Sequence, residues 1–143
     1  MAQIDDIIAL SSIRAELRKA WRESKPGHAD RIEQGGFIVR DGGSLKIVRW
    51  PEGEGASIVV PAHPQCKFDG LDIVASFHTH PNTGAEYLQE PSETDRRAVR
   101  DDPDLKARFY EGELVVARPK VYLITMQGTV LELGEARDIL QLT

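Results

Sequence analysis

The chain of 143 residues holds a single cysteine, Cys66, so no disulfide can form within it. That agrees with a reducing, cytoplasmic setting. A cysteine nucleophile needs a neighbouring base and a depressed pKa, and nothing around Cys66 supplies either, so a free thiol is expected. Aromatic residues make up only 6% of the chain, which leaves Trp21 and Trp50 as expected packing residues. No apolar run is long enough to cross a bilayer, and the acidic N-terminus lacks a signal-peptide pattern, so no membrane association is expected. Positive charge is in deficit: a net charge of −5 argues against a mainly electrostatic grip on nucleic acid. The basic residues at Arg96-Arg97 and between Arg14 and Arg22 read as solvated helix faces. Repeats and low-complexity tracts are absent too. A chain of this length with 41% hydrophobic residues can bury a core of its own as one domain over 1–143.

The hydrophobic pattern describes an α/β domain. Ile4, Ile7, Ile8, Ile13, Leu17 and Trp21 recur at helical spacing and predict one N-terminal helix over about 3–23. A Pro/Gly turn follows, and the core of the domain extends over about 30–134. Strands are expected over 36–40, 44–50 and 57–61, with Asp41-Gly42-Gly43 turning between the first two. A helix is expected over 92–100. Asp102-Pro103 reads as a cap and first residue of a further short helix ending near Gly112. Strands over 113–117, 121–125 and 129–133 complete a mixed sheet, and 134–142 closes the chain as a short helix or a tail. His28 and His63 fall in polar and proline-rich segments and read as loop residues.

The densest chemistry lies in Ser76-Phe77-His78-Thr79-His80-Pro81 and Ser92-Glu93-Thr94-Asp95. The apolar, β-branched run before His78 reads as a buried strand. Residues two apart on a strand share a face, so His78 and His80 project together while Thr79 projects away. Pro81 ends the strand and leaves both imidazoles where the chain opens to solvent. Two imidazoles and a carboxylate from Asp95 are a ligand set that suits zinc, which in catalytic sites takes three protein ligands. A plainer reading stands beside it: a histidine pair in a turn, and Ser92 and Asp95 as the capping box of the next helix.

Glu33-Gln34-Gly35-Gly36 adds a glutamate and a glycine pair ahead of a short apolar strand. With it the set resembles the JAMM (MPN-plus) metalloprotease family: an upstream Glu, then His-Ser/Thr-His-Pro, then Ser-x-x-Asp. The matching positions are Glu33, His78, Thr79, His80, Pro81, Ser92 and Asp95, and the resemblance extends from about Glu33 to the last strands. It implies a twisted mixed sheet flanked by helices, cytidine-deaminase-like in broad architecture. It also implies one zinc ion held by His78, His80 and Asp95, with Glu33 as general base and then acid, and Ser92 as the oxyanion donor. Thr79, Pro81 and the glycine pair would shape the backbone. The implied activity is cleavage after the C-terminus of a ubiquitin-like protein, as precursor processing or deconjugation. Compact members of this kind look like bacterial forms that work with activating and conjugating enzymes. A non-catalytic MPN-type scaffold, or a peptidase of unrelated peptides, is the alternative. One departure stands out: eleven residues separate His80 from Ser92, a longer link than the family's usual one, and it reads as an inserted loop.

Overall fold

The computed structural model describes residues 3–52, 58–84 and 89–141. Two helices, α1 (Ile4–Ala9) and α2 (Ser11–Glu23), lead into the antiparallel pair β1 (Gly35–Asp41) and β2 (Ser44–Arg49). A two-residue strand β3 (Lys67–Phe68) turns into the long β4 (Leu71–Thr79). Then come α3 (Glu93–Arg100), β5 (Glu113–Val116), β6 (Lys120–Ile124), β7 (Val130–Glu135) and the one-turn α4 (Ala136–Ile139). The sheet order is β2-β1-β4-β5-β6-β7, with β3 paired to β4 at its start. Every pair is antiparallel except β4–β5, and α3 lies in the crossover that makes that pair parallel. This is the α/β domain with a mixed sheet that the hydrophobic pattern predicts.

Alternation along the strands divides the core in two. On β5, Leu114 and Val116 join one cluster, while Val115 faces the other. Ile7, Ile13, Leu17 and Trp21 from the first helices, with Leu140, cover the first face over Ile38, Val74 and Phe77. Val99 of α3, Leu105 and Tyr110 cover the second, over Phe37, Ile73 and Val115. Burying each such aliphatic or aromatic side chain stabilises the fold by about 1.5–3 kcal/mol before entropy is counted. The second face ends at the C-terminal end of β4, where the histidines lie.

Three expectations need revision. The single N-terminal helix is two, because Leu10 adopts extended backbone (ψ 126°) between α1 and α2. The serines that follow it favour caps and turns over a helix interior, so the break falls where propensity is weakest. No strand forms over 58–61 beyond a lone bridge between Glu52 and Ile58, and Val59 and Val60 are about half exposed (50% and 47%). The remainder of that expected strand lies outside the described residues. The helix expected after Asp102 is only a 3₁₀ turn, Pro103–Leu105, capped by the Asp102 carboxylate on the Asp104 N–H (2.9 Å). Gly35 and Gly36 begin β1, where close neighbours leave no room for a Cβ.

Candidate metal centre

The end of β4 and the first turn of α3 bring the expected residues together. On β4, His78 is paired with Gly35 of β1 on one side and Val115 of β5 on the other. His80 continues this line, its N–H donating to the Val116 carbonyl (2.8 Å). Facing them, Ser92 caps α3 by accepting the Asp95 N–H (3.0 Å), and the Asp95 carboxylate accepts the Ser92 N–H (2.9 Å). The capping box is therefore real. It does not compete with a ligand role, since the same carboxylate lies 3.1 Å from His80 Nε2 and 3.6 Å from His78 Nε2. The cap is what aims Asp95 at the histidines.

One ligand atom each from His78, His80 and Asp95 lies within 4.8 Å of the others, so the three can hold a metal ion. The Nε2–Nε2 distance is 3.2 Å and the closest Nε2–Oδ2 distance 3.1 Å. Tetrahedral ligands at about 2.0–2.1 Å from zinc stand about 3.3 Å apart, so this donor set has the right size. The outer ring nitrogens are also settled. His78 Nδ1–H donates to Glu113 Oε2 (2.7 Å), and His80 Nδ1–H donates to the Gln89 carbonyl (3.0 Å). Both acceptors lack a proton of their own, so each ring turns an Nε2 lone pair inward, as metal-bound histidines do. Two lone pairs at this separation need a cation between them. Without a metal, a proton serves: burial disfavours the charged His78, but the Glu113 and Asp95 carboxylates outweigh it and raise its pKa to about 10. Burial pushes the Asp95 carboxyl upward, yet its contacts with the His78 and His80 rings and the hydrogen bond from the Ser92 N–H hold it well below the usual range.

Glu33, in the segment leading into β1, lines the same cleft as His78, Ser92 and Asp95. Burial raises its pKa, opposed by the histidines, which moves a carboxylate toward the range useful for proton transfer near neutral pH. Its position is secured from behind by Thr79. That side chain points to the other side of the strand, where its hydroxyl contacts Ser24 Oγ (2.6 Å) and accepts the Gln34 N–H (3.0 Å). The Thr79 N–H also donates to the Gln34 carbonyl (2.9 Å). The inserted link touches the site through the Gln89 carbonyl, and the Gln89 amide donates to the Asn82 carbonyl (2.6 Å) within the link. Residues 85–88 of that link lie outside the described residues.

Sequence reasoning missed several participants. Glu113 orients His78 and also accepts from Ser76 Oγ (2.9 Å), while Ser76 and Tyr110 share a hydrogen bond (2.7 Å). An acidic residue at the start of a strand carries no local sign of this, and only the parallel β4–β5 pairing reveals it. His63 is a loop residue as expected, but a fastened one: its ring bonds the Pro61 carbonyl (2.8 Å) and the Asp102 carboxylate (2.6 Å). Burial lowers its pKa, and those two acceptors more than restore it. Cys66 is buried, and desolvation pushes its thiol up to about 12, which agrees with an unreactive thiol. Among the described residues no helix is long and apolar enough to cross a membrane. Neither a protein family nor a curated protein matches this sequence.

Proposed function

We propose that this protein is a JAMM-type zinc peptidase that hydrolyses the amide bond following the C-terminus of a ubiquitin-like protein. The observation that carries the proposal is the meeting of His78, His80 and Asp95 at one point, with Glu33 and Ser92 on the wall of the same cleft. Five residues from three distant stretches of sequence share one site, in the roles their chemistry suits. Zinc held there would supply Lewis acidity, polarising a carbonyl and acidifying water. The Glu33 carboxylate takes the proton of the attacking water and returns it to the departing amine, so the products are a carboxylic acid and a free amine. Ser92 Oγ already accepts the Asp95 N–H, which leaves its own O–H proton to donate to the developing oxyanion. His78 and His80, fixed by Glu113 and Gln89, stay oriented throughout.

A single unreactive thiol suits a reducing cytoplasm, where we place the activity. The partners are then a ubiquitin-like protein or its conjugates, with the activating and conjugating enzymes of the same pathway. The test is hydrolysis of tail-extended ubiquitin-like proteins by the zinc-loaded chain, beside Glu33→Gln. Cleavage by wild type and loss of about 10²–10⁴-fold in the variant, at equal zinc content, is expected. Full zinc loading with no cleavage of any such substrate would overturn the peptidase reading and favour a binding scaffold.

A further inference from the structure

The glutamate assigned to proton transfer is held by its neighbours rather than by its own side chain. Among the described residues no hydrogen bond fixes the Glu33 carboxylate. Its placement in the cleft therefore depends on the backbone to either side, and both sides lead to the C-terminal end of α2. On one side, the Ile32 N–H donates to the Ser24 carbonyl (3.0 Å). On the other, the Gln34 N–H donates to Thr79 Oγ1 (3.0 Å), which lies 2.6 Å from Ser24 Oγ.

The direction of these bonds follows from counting protons. Ser24 Oγ has one proton and gives it to the Ala20 carbonyl (2.9 Å), one turn back in the helix. The hydrogen between the two hydroxyls then comes from Thr79, so donation runs from Gln34 N–H to Thr79, from Thr79 to Ser24, and from Ser24 to Ala20. Ser24 and Thr79 are fully buried and Gln34 nearly so, and water offers no substitute for a missing member. A second route joins the same two segments. Glu23 pairs with Arg49 (2.9 Å), which donates to Gln34 Oε1 (2.5 Å), while Gln34 Nε2 donates to Glu52 Oε1 (2.9 Å). Glu23 and Ser24, adjacent at the end of α2, thus grip the residue next to Glu33 by its side chain and by its main chain. The helix itself is fixed in the core by Ile13, Leu17 and Trp21.

We propose that Ser24 is a positioning residue for the reaction: the end of α2 sets where the Glu33 carboxylate lies in the cleft, through the hydrogen bonds that run from Ser24 by Thr79 to Gln34. The inference rests on the peptidase reading and gives the second helix a part in catalysis beyond covering the core. Ser24→Ala removes the acceptor of the Thr79 O–H. That proton is left without a partner in a dry site, and the hydroxyl that holds Gln34 is no longer fixed. None of the metal ligands is touched by this change.

The test uses the zinc-loaded full chain and two readouts. The first needs no substrate: amide hydrogen exchange followed by NMR. The Gln34 N–H should exchange about tenfold faster in Ser24→Ala, while the remote Thr125 N–H, bonded to the Thr129 carbonyl (2.8 Å), keeps its rate. An unchanged Gln34, or an equal rise at both amides, would overturn the proposal. The second readout is hydrolysis of a tail-extended ubiquitin-like protein. The expected loss in Ser24→Ala is about 10–100-fold in kcat, with KM and zinc content unchanged. Thr79→Ser should keep most of the rate and Thr79→Val should lose it. Ser24→Ala combined with Thr79→Val should be no worse than either alone, because both break one line of bonds. Losses that multiply in the double variant point to two separate structural defects and overturn the positioning role. Should Ser24→Ala fail to fold, Ser24→Cys makes the same comparison, since a thiol is a weak donor and acceptor. Faster exchange at Gln34 with no substrate cleaved by wild type removes the peptidase reading, and the catalytic role of Ser24 with it, while the link from α2 stands. Cleavage by wild type at a kcat indifferent to Ser24→Ala removes the positioning role alone.

Discussion

At the residue scale, Asp95 carries two roles that simple deletion would confuse. Asp95→Asn separates them, because an asparagine side-chain oxygen still caps α3 while the negative charge facing His78 and His80 is lost. The expected outcome is bound zinc well below one per chain by elemental analysis, with the cap of α3 retained and the chain still folded. Full zinc in this variant would return Asp95 to a purely structural role. Glu113 acts on the metal only through His78 Nδ1, so Glu113→Gln should still load metal but bind it about 10–100-fold more weakly in competition with a chelator. The metal-free protein has its own pH signature. His78 is raised from an unfolded value of about 6.5 to about 10, so its stabilising contribution is full below about 6.5 and is lost as pH climbs toward 10. Asp95 is depressed, so its contribution is present above its unfolded value of about 3.9 and fades as pH falls. Urea midpoints measured in chelator should therefore decline on both sides of a plateau between about pH 4 and 6.5. Because metal displaces the His78 proton, saturating zinc should flatten the alkaline decline.

At the scale of elements, the glycines at strand ends show how close packing positions the site. A Cβ at Gly35 would run into Trp50, and one at Gly112, which also has φ +120°, would overlap the Ile124 carbonyl. Gly35→Ala and Gly112→Ala should each destabilise by about 1–3 kcal/mol in urea unfolding. Gly43→Ala, in open space in the β1–β2 turn, should stay within about 0.5 kcal/mol. Equal effects at all three would mean that the Trp50 and Ile124 contacts do not constrain the backbone. Much of this level was legible in advance. Period-two spacing placed His78 and His80 on one face, and Ser92-x-x-Asp95 announced a helix start. The break at Leu10 and the missing helix after Leu105 were not legible. There the apolar positions suited a helix, and tertiary packing accepted something shorter.

At the scale of the whole molecule, a metal ion in this site would join the end of a central strand to a helix that begins thirteen residues beyond His80. A ligand that binds only the folded chain stabilises it by about 2.7 kcal/mol at a hundredfold excess over Kd. For a chain of this size that corresponds to a rise in Tm of about 5–10 °C. Scanning calorimetry with zinc and then with excess chelator should show that rise and its reversal. A Tm indifferent to both would argue against a site that forms only in the native fold.

What the sequence alone determined is local. Alternation set the faces of the strands, helical periodicity set the apolar stripe of α2, and the spacing of His78, His80, Ser92 and Asp95 set a donor group that a strand end and a helix start could close. These follow from the geometry of one residue relative to its neighbours along the chain. What tertiary structure decided is the company that group keeps. Glu113 reaches His78 across 35 residues, and His63 reaches Asp102 across 39. No pattern along the chain encodes those meetings, because they depend on strand order and on the crossover between β4 and β5, which only the packed sheet specifies.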